Sequence, residues 1–353
     1  MLKFDRIHLS LENWDSTLQQ FPDRTMCQSP AWLGFLEETQ KGEIVIAALR
    51  EGNTVLGYFS GLMIQRFGLR LLGSPLPGWT TAYMGLVLKP EVPRTDALEA
   101  LQRFAFFDLQ CVHLEFMDRN LSASAIGDHY PFRNYNGFEI DLSRKEDELF
   151  SDMTSACRRC IRKAVRSGVI IQEASDAAFV EDFYGQITDV FAKRHLVPTY
   201  GRARVLALIR HLQPTGNLLL LRAIDDDGHC IATGISIAMH DHAELWGTAS
   251  WRTYQHLRPN ELLLWYVLRY WKNRSVRFLD MGGAGEYKRK YGGYEISVPW
   301  VRTSRYPLLA VLRSSAAMLV ATRQRWHGAW RSIASSVSAP ADSPSLQSGD
   351  SVR

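Results

Sequence analysis

The 353 residues contain no uninterrupted apolar stretch of about 18 residues, so no segment reads as a bilayer-spanning helix. No apolar run follows Met1 to Arg6, which argues against a secretory signal and gives the expectation of a cytoplasmic protein. Cysteine is scarce and scattered: Cys27, Cys111, Cys157, Cys160 and Cys230 are odd in number, which excludes a disulfide framework and fits a reducing compartment. Cys157 and Cys160 form a C-x-x-C, but a structural zinc site needs a second pair and none is present, so no metal is expected. Acidic residues are missing between Glu295 and Asp342, while Arg302, Arg305, Arg313, Arg323, Arg325 and Arg331 all fall there, so the C-terminus reads as a basic arm. A P-loop and a dinucleotide fingerprint are both absent, because no glycine cluster has the required spacing.

What remains is an ordinary globular composition, 46% hydrophobic and 22% charged, in a chain long enough for two cores. Residues 44 to 63 read as strand, turn, strand around Arg50-Glu51-Gly52-Asn53, and residues 220 to 239 read the same way around Asp225-Asp226-Asp227-Gly228. A single offset superposes Gly52 on Gly228, Ala47 on Ala223, Val55 on Ile231, Ser60 on Ser236 and Met63 on Met239, which points to an internal duplication. Helical patterning precedes each hairpin, at Trp32, Leu33, Phe35 and Leu36 and again at Val205, Leu206, Leu208, Ile209 and Leu212. A helix and a strand follow each: 97 to 109 then 112 to 117, and 260 to 271 then 276 to 281. This repeated order predicts an α/β protein of two tandem acetyltransferase-like (GNAT) domains, with mixed sheets flanked by helices, at 1–140 and 141–305. A basic amphipathic helix at 306–334 and a disordered tail at 335–353 complete the expected organisation.

Two stretches carry candidate chemistry. In a charged helix expected over 144 to 168, Arg158 and Arg162 stand four apart, as do Arg159 and Lys163. Such a row is either a solvated face or a receiver for an anion, for which guanidinium forks are suited. In the second stretch a strand ending at Asp280 runs into Met281-Gly282-Gly283-Ala284-Gly285, followed by Glu286-Tyr287-Lys288-Arg289-Lys290-Tyr291-Gly292-Gly293. Successive glycine amides there can form an anion-accepting nest beside Lys288, Arg289 and Lys290, and a basic surface hairpin is the other reading.

These residues resemble the FemAB / BioF2-like branch of the GNAT superfamily. RRCIRKAVRSGV is similar to that branch's "RRNIRKA…GV" helix, and the later half repeats its signature in order: Tyr254, Pro259-Asn260, the leucines leading to Trp265, Asp280-Met281-Gly282-Gly283, then Tyr287-Lys288 with Tyr291-Gly292. Gln28-Ser29-Pro30 with Trp32, and the loop from Gly73-Ser74-Pro75 to Tyr83-Met84-Gly85, extend the likeness into the first half. The resemblance implies transfer of an acyl or aminoacyl group to an amine of a cell-envelope or exopolysaccharide precursor; an aminoacyl-tRNA-dependent peptidyltransferase of peptidoglycan type and a non-catalytic polymer-binding protein are the alternative readings. The acceptor would be a small-molecule or lipid-linked sugar or peptide, with acyl-CoA or aminoacyl-tRNA as donor. It also implies a functional lysine, which is Lys288 here. The Arg/Gln-x-x-Gly-x-Gly/Ala loop that usually cradles the coenzyme A pyrophosphate is missing.

Lys288 is expected to do electrostatic work, because acting as a base would require a pKa drop of roughly 3 units. Asp280 is the expected proton acceptor or amine-orienting group, with a plain strand-end cap as the alternative. Glu244 and the pair His240/His242 are weaker candidates, the histidines flanking Asp241 in an expected hairpin turn. The substrate-binding set comprises Arg158, Arg159, Arg162, Tyr83, Trp246, Tyr254, Asn260, Gly282, Gly283, Tyr287, Arg289 and Lys290. Leu308, Leu312, Ala316, Leu319, Trp326, Trp330 and Ile333 recur at helical spacing among arginines, which suits either peripheral contact with the inner membrane or packing on the protein itself.

Overall fold

The computed structural model describes residues 1–8, 10–193, 196–283 and 285–306. The expected amphipathic helix and tail lie outside the described residues, apart from Tyr306 at the helix's expected start. Strands of the first half are β1 (Lys3–Ile7), β2 (Glu43–Glu51), β3 (Thr54–Arg66), β4 (Leu69–Ser74), β5 (Leu86–Leu88), β6 (His113–Met117) and β7 (Phe132–Asp141). Those of the second are β8 (Ile170–Glu173), β9 (Leu218–Ile224), β10 (Cys230–Met239), β11 (His242–Ser250), β12 (Phe278–Asp280) and β13 (Tyr294–Ser304). The helices are α1 (Leu11–Leu18), α2 (Pro30–Gln40), α3 (Arg94–Arg103), α4 (Ala123–Ile126), α5 (Glu146–Asp152), α6 (Ser155–Arg166), α7 (Phe179–Ala192), α8 (Arg202–Leu212) and α9 (Pro259–Lys272).

Both expected hairpins form. Gly52 and Gly228 take positive φ, 57° and 84°, at their turns, where a side chain would be strained. The two halves share one mixed sheet in the order β1-β2-β3-β4-β6-β13-β7-β12-β11-β10-β9-β8, with β5 on β3. β4 pairs parallel to β6 and β11 parallel to β12, and the other pairs are antiparallel. The final strand of each half crosses to the other: β13 lies between β6 and β7, and β7 lies between β13 and β12. Neither half therefore completes its own sheet.

The cores follow this exchange. In place of two separate cores, the largest apolar cluster is common to both halves, joining Trp14, Trp32, Phe35 and Leu36 to Phe179, Phe183, Val205 and Leu208. Within it α2 packs on α8, the helices that precede the two hairpins. A second cluster holds α5, α6 and α9 against the second half of the sheet, and a third holds α3 against the first. Among the described residues no helix is long and apolar enough to cross a membrane.

The charged helix expected over 144 to 168 is two helices. α5 ends at Asp152, and Thr154 restarts the chain by accepting from the Cys157 amide at 3.2 Å as the N-cap of α6.

Candidate active site

The site is built where β11 and β12 part. Their parallel register is short, His242 to Phe278, Ala243 to Leu279 and Glu244 to Asp280. Beyond Glu244, β11 continues against β10 alone, with a register step that leaves Trp246 as the extra residue of a bulge, while the chain after Asp280 turns away. The wedge between them is a cavity of about 480 Å³. Trp246, Gly282, Gly283, Tyr287 and Lys288 of the expected set line it, together with Tyr135, Glu244 and Trp300. Trp246 donates its indole N–H to the Thr80 carbonyl at 3.1 Å, so a loop of the first half closes the wall.

Lys288 is buried, on a single 3₁₀ turn spanning Glu286–Tyr291. Its Nζ donates to the carbonyls of Met281 at 2.7 Å, Gly283 at 2.9 Å and Gly282. Three ammonium protons thus meet three carbonyl oxygens. Burial pulls the Lys288 pKa below its ordinary value and Asp280 opposes this, while the carbonyl cage solvates the charged form. The glycine amides are spent as well: Gly282 N–H donates to Asp280 Oδ1 at 2.6 Å, and Gly283 N–H to the Tyr135 hydroxyl at 2.8 Å. The expected anion nest is therefore inverted, since the glycine carbonyls hold a cation and the amides are already occupied.

Asp280 also accepts from the Tyr83 hydroxyl, which brings a first-half residue onto a second-half strand. Its carboxyl is raised to about 6 by burial, with the Gly282 amide and Lys288 pulling the other way. Glu244 stands beside it, partly exposed to the cavity. Desolvation raises Glu244 to about 7, and the Cys27 thiol, 3.9 Å from Oε2, pulls against that. Burial, reinforced by Glu244, holds the Cys27 thiol well above its ordinary range, so Cys27 is a neutral wall rather than a nucleophile. Two carboxyls that burial raises toward neutral pH thus stand side by side on β11 and β12, and of the two Glu244 lines the cavity.

A second cavity of about 410 Å³ adjoins the first, sharing Leu245, Thr248, Met281 and Tyr287 with it. Asn260 and Lys290 line it, Asn260 donating to Ser250 Oγ at 2.9 Å and Lys290 pairing with Glu261 at 2.7 Å. The remaining candidates stand apart. Arg289 is exposed and paired with Glu286 and Glu295. Tyr254 packs toward His229, with ring centroids 6.1 Å apart. α6 buries Cys157, Ile161 and Ala164, so its arginines face away from the core. Arg158 caps the carbonyls of Ser151 and Met153, Arg162 lies over the Phe150 ring, and Arg159 is exposed. None of the three lines either cavity. Sequence reasoning passed over Tyr135 and placed Glu244 among the weaker candidates. The legible signal for Glu244 was an acidic residue inside an apolar strand, two positions from His242 and hence on the same face.

Residues 151–289 match the family model for the acetyltransferase (GNAT) domain. The match lies in the second half of the chain. The GNAT fold extends over both halves, as solved structures show. FemX is 11% identical, with a TM-score of 0.67 over 84% of this chain and 97% of that one. A tandem GNAT protein from the clavulanic acid biosynthesis pathway is 12% identical, with a TM-score of 0.51 over 87% and 99%. The C-terminal domain of a putative lysylphosphatidylglycerol synthetase from Agrobacterium fabrum is 10% identical, with a TM-score of 0.54 over 88% and 98%. No curated protein matches by sequence.

Before α9 the chain forms a 3₁₀ segment, Arg252–Leu257, and Arg252 is paired with Asp189. Pro259 at the first position of α9 has no N–H to offer a phosphate.

Proposed function

We propose that the protein is an N-acyltransferase that moves an acyl or aminoacyl group from a thioester or ester onto an amine of a cell-envelope or exopolysaccharide precursor, on the cytoplasmic side. The supporting observation is Glu244, a carboxyl raised to about 7 that opens into the wedge between β11 and β12. An amine arrives as an ammonium and must lose a proton before it can attack. A base whose pKa lies near the working pH does this without being itself permanently protonated. Glu244 takes the ammonium proton, and the neutral amine attacks the acyl carbonyl. The C–N bond forms and the bond to sulfur or oxygen breaks. The leaving atom carries away the amine's second proton, and the third stays on the amide for a primary amine's product. One proton is left on Glu244.

Asp280, held by Tyr83 and the Gly282 amide, fixes the strand end from which the Met281 to Gly283 backbone hangs, and Lys288 pins the same backbone from the other side. The two are positioning residues, with Lys288 adding positive potential to the cavity wall. The aminoacyl ester of a tRNA is the donor that the missing pyrophosphate cradle favours. That Tyr287, Asn260 and Lys290 line the second cavity supports a place for it there.

The test is mass spectrometry of acceptor products after incubation with acetyl-CoA or charged tRNA and a panel of amino-sugar nucleotides and peptidoglycan peptides. One acyl or aminoacyl mass added to an amine, and lost with Glu244→Gln, is expected. A full-rate product with Glu244→Gln would refute the assignment of the base. If tRNA is the donor, its binding weakens steeply with salt, and a salt-insensitive titration would remove that donor.

A further inference from the structure

Transfer leaves a proton on Glu244, and the cavity it faces is then filled by product, so the proton needs another way out. A separate small cavity lies behind Glu244, with a volume of about 30 Å³ and a lining that includes Glu244, Asp280, Tyr83, Arg119 and His242. A water needs roughly 10 to 15 Å³ of such space and two or more polar partners, and this lining is rich in them. His242 and Glu244 are two residues apart on β11 and so share a face. The imidazole spans the distance from this cavity to solvent. Its Nδ1 is 2.8 Å from Asp241 Oδ1, and Asp241 is one-third exposed in the turn with His240. Its Nε2 is buried, and among the described residues none hydrogen-bonds it, with Glu139 Oε2 standing 3.9 Å away.

Resting on Glu244 as the base, we infer that His242 is a proton relay, taking the proton from Glu244 through water in the small cavity and passing it to bulk solvent by way of Asp241. The balance is simple. Protonated Glu244 gives its proton to the water, which gives one to His242 Nε2. The imidazolium releases its Nδ1 proton to the Asp241 carboxylate and so to solvent, which leaves the ring protonated at Nε2; a half-turn of the partly exposed ring then lets solvent take the Nε2 proton and return one to Nδ1, restoring the starting tautomer before the next turnover. The water and both carboxylates end as they began.

The surroundings suit a ring that holds a proton only in passing. The Phe278 ring lies against His242 at 5.0 Å between centroids, and burial followed by the charge of Arg119 lowers the imidazole pKa from its ordinary 6.5. Arg119 is itself paired with the fully buried Glu139, which also accepts from Tyr294, so the cation is anchored and cannot swing away. Asp241 and His240 face the ring from its own turn, Glu244 and Asp280 across the small cavity, and Arg277 sits over the Phe278 ring.

The experiment uses the whole protein and no substrate. With ¹³C-labelled glutamate side chains, the Glu244 carboxyl signal reports both its titration midpoint and, through line shape, its rate of proton exchange with solvent. ¹⁵N spectra of labelled histidine report the His242 tautomer. The wild type is expected to hold its proton on Nδ1 with Nε2 bare, and to show one averaged Glu244 line near neutral pH. His242→Gln, with its amide spectrum intact, should slow exchange at least tenfold and split or broaden that line. Asp241→Asn, a surface change, should slow exchange severalfold and decides the matter if His242→Gln does not fold. An Nε2-protonated tautomer, or exchange unchanged in both variants with the midpoint still near neutral, would overturn the relay alone. A Glu244 midpoint in the ordinary carboxylate range would remove the base itself, and the relay with it.

Discussion

Replacing Glu244 by Gln should make the protein more stable while ending its activity. The carboxyl is raised from 4.5 to about 7 because protein replaces water around it and no cation is recruited in exchange. The sign follows from linkage. Between those two pH values the folded state keeps a proton that the unfolded chain has lost, so stability drains away as pH rises through the window and stays reduced above it. A rise of this size corresponds to about 3 kcal/mol. Glutamine has the same shape and never ionises. Its advantage should therefore be near zero below the unfolded pKa and grow to about 3 kcal/mol above the folded one. Urea denaturation of both proteins at about pH 4 and about pH 8.5 reads the difference directly, and contributions common to both cancel. A gain that is the same at both pH values would mean that Glu244 titrates like a surface carboxylate, and the case for it as the base would go with it.

Lys288→Met removes the donor of three hydrogen bonds and leaves the carbonyls of Met281, Gly282 and Gly283 facing an apolar chain. A loss of about 3 to 5 kcal/mol in denaturation, with transfer reduced roughly a hundredfold, is expected. Tyr83→Phe takes a hydrogen bond from the ionised form of Asp280, so the Asp280 midpoint, followed by carboxyl NMR, should move up from about 6, with a stability cost of about 1 kcal/mol. Arg158→Ala frees the carbonyls of Ser151 and Met153 at the end of α5. It should cost about 1 kcal/mol of stability with transfer unchanged, and a large rise in KM would instead restore the reading of α6 as an anion receiver.

Local chemistry made part of the fold legible. Gly52 and Gly228 announce their turns because only glycine is comfortable at those φ values, and the apolar spacing on α2 and α8 marks helices wherever they pack. The exchange of β7 and β13 was hidden for the opposite reason. A strand's own pattern says which face is buried, and says nothing of which neighbour it takes two hundred residues away. The break before α6 could have been found, since Thr154 followed by Ser155 is an N-cap signal inside an otherwise helical run. The same helix shows why the arginines stand away from the two cavities. Cys157, Ile161 and Ala164 already claim its inward face, so a row of cations beside them is pushed outward. At the glycines after Asp280 an anion nest was expected, and the backbone there has the opposite polarity. A sequence tells that the backbone comes close to something there, but whether amides or carbonyls point inward is set by the turn, and here Asp280 and Tyr135 had taken the amides first.

The duplication itself bears on the chemistry. Glu244, Asp280 and Lys288 all belong to the second half, yet part of their surroundings comes from the first. Cys27 touches Glu244, Tyr83 bonds Asp280, and Tyr135 arrives on the exchanged strand β7 to occupy the Gly283 amide. Standing alone, the second half would leave the wedge between β11 and β12 open to water, and a hydrated Glu244 would fall back toward its ordinary pKa and be too weak a base for an ammonium. The strand exchange prevents that separation, because β13 cannot leave β6, nor β7 leave β12, without tearing the sheet. Glu139 stands at the crossing, opposite Asp280 on β12 and Tyr294 on β13, with its buried carboxylate tied to Arg119. The brace that joins the halves is thus one residue from the strand pair that carries the candidate base, so the covering that desolvates Glu244 and the connection that keeps the cover in place are parts of the same construction.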